Sequence, residues 1–91
     1  MNLARPKSQI QEVLYELIQH NMFGASRREL MINCGVLKAP DVVKRLRKKG
    51  VEITTEEIKT KNKHGNEVTY GNYKIVDVIK ATRIYNQLIN K

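Results

Sequence analysis

The pattern of apolar and polar positions predicts three helices, then a β-hairpin, then a fourth helix. Apolar residues recur at i, i+3, i+4, i+7 and i+8 behind a capping-box motif at Ser8–Gln11, which predicts a first helix over 8–21. A second capping box at Ser26–Glu29 begins a short helix. Gly35 is placed to end that helix in the left-handed conformation of a C′ residue.

The third helix is predicted to have one apolar face and one cationic face. It extends over 39–49, where Pro40 suits the first turn and Gly50 follows the last. At about 100° per residue, the inward face consists of Val42, Val43 and Leu46, whereas the outward and flanking positions are Asp41, Lys44, Arg45, Arg47 and Lys48. Such a helix can bury its apolar stripe and still offer basic side chains to a polyanion.

The period of the pattern then changes to that of β-strands. Alternation over 51–60, the polar turn Lys61–Asn66 and a β-rich segment over 68–76 predict a hairpin, with Gly71 as a bulge or weak point. Asp77 is placed to cap a last helix with an apolar stripe.

Composition narrows the class of function. The 91 residues carry 17 Lys and Arg against 9 Asp and Glu, a net charge of +8, which is attractive to nucleic acid or to an anionic membrane surface. Of the two we expect nucleic acid and no membrane partner. This length suits a single binding domain better than an enzyme with a deep cleft. No apolar run approaches the ~20 residues of a membrane span, and MNLARPKSQ lacks a signal-peptide core, so a cytoplasmic location is expected, in a bacterial cell or a phage-infected host. Cys34, the single cysteine, cannot form an internal disulfide and is predicted to be a core residue.

Two short helices joined by a glycine-containing turn are typical of a helix-turn-helix, whose second helix enters the DNA major groove. The hairpin tip adds further basic side chains, and a helix-turn-helix followed by a basic hairpin is a winged arrangement. We expect helix 39–49 to read base edges while the hairpin tip over 59–66 holds the backbone or minor groove. The candidate DNA-binding residues are Arg27, Arg28, Lys38, Asp41, Lys44, Arg45, Arg47, Lys48, Lys59, Lys61, Lys63 and His64.

Each of these charges has a simpler interpretation. A run of lysines on a helix is often a solvated face, and His64 can be an ordinary exposed turn residue. Asp41 could accept a hydrogen bond from a cytosine amino group, orient Arg45, or complement the helix dipole. Separated histidines, the lack of paired Cys/His spacing and the lack of a glycine-rich phosphate loop predict no metal, no cofactor and no enzyme.

Three segments, SRRELM, APDVVKRLRKKGVEI and KNKHGN, together with the closing Tyr73–Ile75, resemble the small winged helix-turn-helix proteins of bacteria and bacteriophages. The resemblance implies an α+β fold, with a three-helix core and a β-hairpin wing over 1–76, and binding to double-stranded DNA. It leaves the additional C-terminal helix, 77–91, outside. Because this fold serves several functions, we expect a small transcriptional regulator and keep two alternatives: a phage or mobile-element protein that binds a host protein, and an excisionase-like architectural DNA binder.

The apolar stripe of the last helix raises the question of assembly. Its members are Val78, Ala81, Ile84, Tyr85, Leu88 and Ile89. We expect them either to pack on the first helix beside Leu14 and Leu17, or to form a homodimer through Val78, Ile84, Tyr85 and Leu88. Two recognition helices about 34 Å apart would read a palindrome.

Overall fold

The computed structural model describes residues 3–90, with the backbone alone at position 22, and this part of the chain has an α+β fold. Its elements are α1 (Gln9–His20), a short 3-10 helix (Asn21–Phe23), β1 (Ala25–Ser26), α2 (Arg27–Cys34), α3 (Ala39–Lys48), β2 (Ile53–Lys61), β3 (Glu67–Ile75) and α4 (Val78–Ile89). The predicted α+β class is confirmed, and the layout is compatible with a winged helix-turn-helix. The predicted ranges 1–76 and 77–91 include positions 1, 2 and 91, which lie outside the described residues.

Side-chain caps fix the starts of α1, α2 and α4 where the sequence predicts them. The Ser8 hydroxyl accepts a hydrogen bond from the backbone N–H of Gln11 at 3.3 Å. In the capping box of α2, the Glu29 N–H donates to the Ser26 hydroxyl at 3.1 Å and the Ser26 N–H donates to the Glu29 carboxylate at 3.2 Å. Asp77 caps α4 in the same way as Ser8 caps α1. In residues 3–90 no helix is long and apolar enough to cross a membrane.

The end of α3 is a glycine-dependent turn that directs the chain into the hairpin. Gly50 has φ +100°, a conformation that side chains strongly disfavour. Its N–H donates to the carbonyl of Arg47 at 3.1 Å, and the N–H of Val51 donates to the carbonyl of Leu46 at 3.1 Å. This pair of bonds is the Schellman motif, which satisfies the last carbonyls of a helix.

The sheet is antiparallel, with strand order β1-β3-β2. Strands β2 and β3 pair without interruption, from Ile53 opposite Ile75 to Lys61 opposite Glu67. Gly71 stands opposite its partner in this same register, so the predicted bulge is wrong.

The short strand β1 pairs with the base of β3 and was not predicted. The glycine before it, Gly24, lies so close to β3 that an added Cβ would be 2.5 Å from the carbonyl oxygen of Tyr73, and its φ is +68°. Only glycine fits there, because both the space and the backbone conformation exclude a side chain.

Helix α4 packs on α1 and completes the core. The rings of Tyr15 and Tyr85 have centroids 5.9 Å apart, and the side-chain amide of Gln11 donates to the carbonyl of Leu88 at 3.3 Å. Tyr85 is fully buried, and its hydroxyl donates to the carbonyl of Ala4. The apolar stripe of α4 therefore packs on α1, which is the first of the two arrangements expected from the sequence. Tyr85 is not accessible to a second chain, so its prediction as a dimer contact is wrong.

Candidate nucleic-acid interface

Helix α3 separates its apolar and charged residues as the sequence predicts. Its buried residues are Ala39, Val42, Val43 and Leu46. The exposed ones are Pro40, Asp41, Lys44, Arg45, Arg47 and Lys48, and Lys49 follows as an exposed cap. The apolar stripe anchors the helix in the core, so the charged face is presented to solvent by a fixed support.

The candidate cations are not neutralised within the described chain. The ion pairs among residues 3–90 use only His20, Lys74 and Lys80 as their basic partners. None involves a basic residue of α3, of the start of α2 or of the hairpin tip. Exposed ion pairs contribute little to stability, so the lack of acidic partners does not by itself indicate a function, but it leaves these cations available to an anionic ligand. Basic residues in the last turn of α3 do complement its helix dipole, which is a smaller, structural contribution.

Arg47 is the exception among the candidates. Its Nε and Nη2 donate to the carbonyl oxygen of Ile53 at 3.1 and 2.8 Å, and Nη2 also donates to the hydroxyl of Thr55 at 3.1 Å. The planar guanidinium thus ties the end of α3 to the start of β2. Because Nε and Nη2 already donate within the chain, Arg47 has fewer donors to offer DNA than Arg45, and its assignment to the DNA-binding set stays a prediction.

The first turn of α3 holds the two remaining candidates of that helix. Lys38 is exposed at the N-cap position, and its side chain makes no capping hydrogen bond. Asp41 lies in the first turn, where a negative charge complements the helix dipole. Among the described residues Asp41 forms no ion pair, so the alternative in which it orients Arg45 is absent from this structure.

The hairpin tip is a hydrogen-bonded turn whose basic side chains are exposed to solvent. The side-chain oxygen of Asn62 accepts from the backbone N–H groups of His64 and Asn66, each at 3.0 Å. The backbone N–H of Asn62 donates to the carbonyl of Asn66 at 2.9 Å. Lys63 and His64 are exposed in this turn, and Lys59 is exposed on β2. An Asx-type turn of this kind has a defined geometry, so the tip is not simply a flexible loop.

Arg27, Arg28 and Lys61 line a groove between α2 and the hairpin. The groove has a volume of about 740 Å³. Its other lining residues are Ser26, Met31, Leu37, Thr60, Asn62, Val68 and Tyr70. The sequence does not reveal this groove, because the α2 and hairpin residues that line it are far apart in the chain. The signal that was present is the even spacing of Val68 and Tyr70, which places both on one face of the strand.

Comparison of the chain with protein-family models, curated proteins and solved structures found no match. In the described part of the chain, no group of three or more His, Cys, Asp or Glu residues is arranged to hold a metal ion.

Proposed function

We propose that this protein binds double-stranded DNA in a sequence-specific manner, as a small transcriptional regulator. The observation that carries the proposal is the exposed face of α3, whose Lys44, Arg45 and Lys48 have no acidic partner among residues 3–90. An α-helix fits the major groove of B-DNA, which is about 12 Å wide, and basic side chains on such a helix reach both phosphates and guanine edges. The buried stripe of α3 stays in the core while this face docks.

The hairpin has the place of a wing in this proposal. It follows α3 directly through the turn at Gly50, and Arg47 fixes the angle between helix and strand. Its tip presents Lys63 and His64. A basic side chain at this position contacts the phosphate backbone, so it contributes to affinity more than to sequence preference. The resemblance to bacterial and phage winged helix-turn-helix proteins supports a regulator from such a source.

The proposal is tested by measuring duplex binding as a function of salt. We expect log K to fall linearly with log salt, with a slope of about 0.9 for each phosphate that the protein neutralises. Replacing Lys44 and Lys48 together by Gln removes two such contacts, so the slope should decrease by about 1.8. The matched control replaces Lys7 and Arg83 by Gln, which removes the same charge from outside α3 and breaks no ion pair among residues 3–90. Equal effects of the two double variants would contradict the proposal, because they would indicate attraction to the net charge alone.

A second variant tests the hairpin separately. Lys63→Ala should weaken binding to all duplexes alike and lower the salt slope by about 0.9, because its contact is to phosphate. An unchanged slope would exclude the hairpin tip from the interface.

A further inference from the structure

The groove between α2 and the hairpin differs in chemistry from the exposed face of α3. It has an apolar lining from Met31, Leu37, Val68 and Tyr70, all of which are exposed to solvent. Leu37 is the most open of them, with 75% of its surface accessible. Concave sites with apolar walls and a few polar groups are typical of binding sites for other molecules.

The charge of the groove selects an anionic occupant. Arg27 and Arg28 line one wall and Lys61 lines the other, and none of the described residues that line the groove is acidic. These three cations form no ion pair in residues 3–90, and Glu67, which stands opposite Lys61 in the hairpin, is not paired with it. An occupant that combines apolar groups with carboxylates would satisfy both features of the lining.

The edge of β3 beside the groove favours an extended peptide. Strand β1 pairs with β3 only at Tyr73 and Asn72 and then turns away into α2. On that side, residues 67–71 of β3 have no strand neighbour in the described structure. The N–H and C=O groups of alternate residues in this segment face away from β2 and can pair with an added strand, while the side chains of Val68 and Tyr70 contact that strand's apolar residues.

The composition separates this groove from a duplex interface. Met and Tyr are enriched where proteins contact proteins, whereas surfaces that contact DNA are more polar, and the cations of the groove suit either partner, so the apolar lining makes the distinction. Four apolar side chains would face a sugar-phosphate backbone here with little gain, but they suit apolar side chains of a peptide.

We propose that this groove binds an extended segment of a partner protein in which apolar residues alternate with aspartate or glutamate. The apolar side chains contact Met31, Leu37, Val68 and Tyr70, and the carboxylates pair with Arg27 and Arg28. The peptide backbone adds to the free edge of β3. The groove is lined by α2, Leu37 and the hairpin and not by the helix α3 itself, and the proposal does not depend on α3 binding DNA.

The test begins with selection of peptides from a random library displayed on yeast, followed by anisotropy measurements on a fluorescent copy of the selected sequence. We expect enrichment of acidic residues beside apolar ones, and we expect substitution of each acid by its amide to weaken binding about tenfold or more. A selection that enriches no sequence, or one that enriches basic sequences, would overturn the proposal.

Matched variants locate the site. Leu37→Ser should weaken the selected peptide about tenfold, whereas Ile32→Ser, on the neighbouring helix α2 and 65% accessible but outside the groove, should leave it unchanged. Circular dichroism checks that both variants are folded, which their exposure leads us to expect. Equal effects of the two variants would overturn the proposal.

Removing charge from each surface in turn separates the peptide site from the DNA site. Replacing Arg27 and Arg28 by Gln should weaken the peptide and leave the salt slope of duplex binding nearly unchanged, whereas replacing Lys44 and Lys48 by Gln should do the reverse. If the Arg27 and Arg28 variant lowers the duplex slope as strongly as the Lys44 and Lys48 variant, the groove belongs to the nucleic-acid surface and the peptide proposal fails. If the parent protein binds the peptide but no duplex, the proposed DNA-binding function fails alone.

Discussion

Arg47 offers a direct test of the claim that one arginine of α3 fixes the hairpin rather than reading DNA. Arg47→Ala removes two hydrogen bonds to the carbonyl of Ile53 and one to the hydroxyl of Thr55. Hydrogen bonds from a charged group contribute about 1.5–3 kcal/mol each when water is excluded. The Arg47 side chain is exposed and two of its bonds share one acceptor, so we discount the sum to about 1–2 kcal/mol.

The assay is thermal and urea unfolding, followed by DNA binding of the same samples. For a domain of this size, 1 kcal/mol corresponds to about 4–8 °C in Tm, so the loss is readily measured. Lys44→Ala is the matched control, since it removes the same charge from the same helix and should change stability by less than about 0.5 kcal/mol. We expect Arg47→Ala to leave discrimination between selected and random duplexes unchanged. A variant with the parental Tm but reduced discrimination would refute the reasoning, because it would show that the guanidinium reads bases.

Three further predictions concern stability and reactivity. Gly24→Ala should cost at least about 2 kcal/mol, because its Cβ would collide with the backbone of β3, whereas Gly65→Ala, with φ +79° but open space around it, should cost about 1 kcal/mol; urea unfolding compares them. Burial and the nearby carboxylates of α1 raise the pKa of the Cys34 thiol to about 11, so iodoacetamide should react slowly with the native protein at neutral pH and rapidly in urea. Because the unfolded thiol ionises first as pH rises above about 8.5, native stability should fall between there and pH 11, and rapid native labelling at neutral pH would contradict the assignment. Leu88→Glu should lower Tm, since Leu88 packs against the core; a folded variant whose mass in solution is halved would instead identify a homodimer contact at that residue.

The parts of the structure that the sequence predicted well depend on neighbours along the chain. Ser26 and Glu29 are three residues apart, and their reciprocal bonds need only a helical turn. Gly50 ends α3 for an equally local reason, since its positive φ completes a turn made with residues of the same helix. The buried stripe of α3 follows from helical spacing alone.

The parts that were missed depend on residues far apart in sequence. Strand β1 has too few residues to show alternation, and its partner is the base of β3. Tyr85 is buried because it meets Tyr15 on α1 and the carbonyl of Ala4, and neither neighbour can be identified from the apolar stripe of α4. Helical spacing correctly places Arg47 on the exposed side of α3, but it cannot show that the carbonyl oxygen of Ile53 lies within hydrogen-bonding distance of the guanidinium.

The same distinction explains how much of the candidate site was predictable. The basic residues of α3 could be assigned to one face from their spacing. Their lack of acidic partners became visible only in the folded chain. The groove could not be predicted from spacing alone, because it brings Arg27 and Leu37 together with Tyr70 of the twisted hairpin. Strand twist and hairpin orientation are set by the whole sheet, so the spacing of Val68 and Tyr70 shows that they share a face but not that this face meets α2.

The central claim is that α3 lies in the major groove, and methylation interference on a duplex selected from a random library tests it most directly. Guanine N7 is a major-groove atom, and a bidentate arginine contact uses it together with O6. The account predicts that methylation of guanine N7 at one or more positions blocks binding of the parent protein. It also predicts that Arg45→Ala loses about 1–3 kcal/mol on the selected site and far less on random DNA. A selection that enriches no sequence, or a selected duplex whose binding is unaffected by N7 methylation at every guanine, would contradict the account.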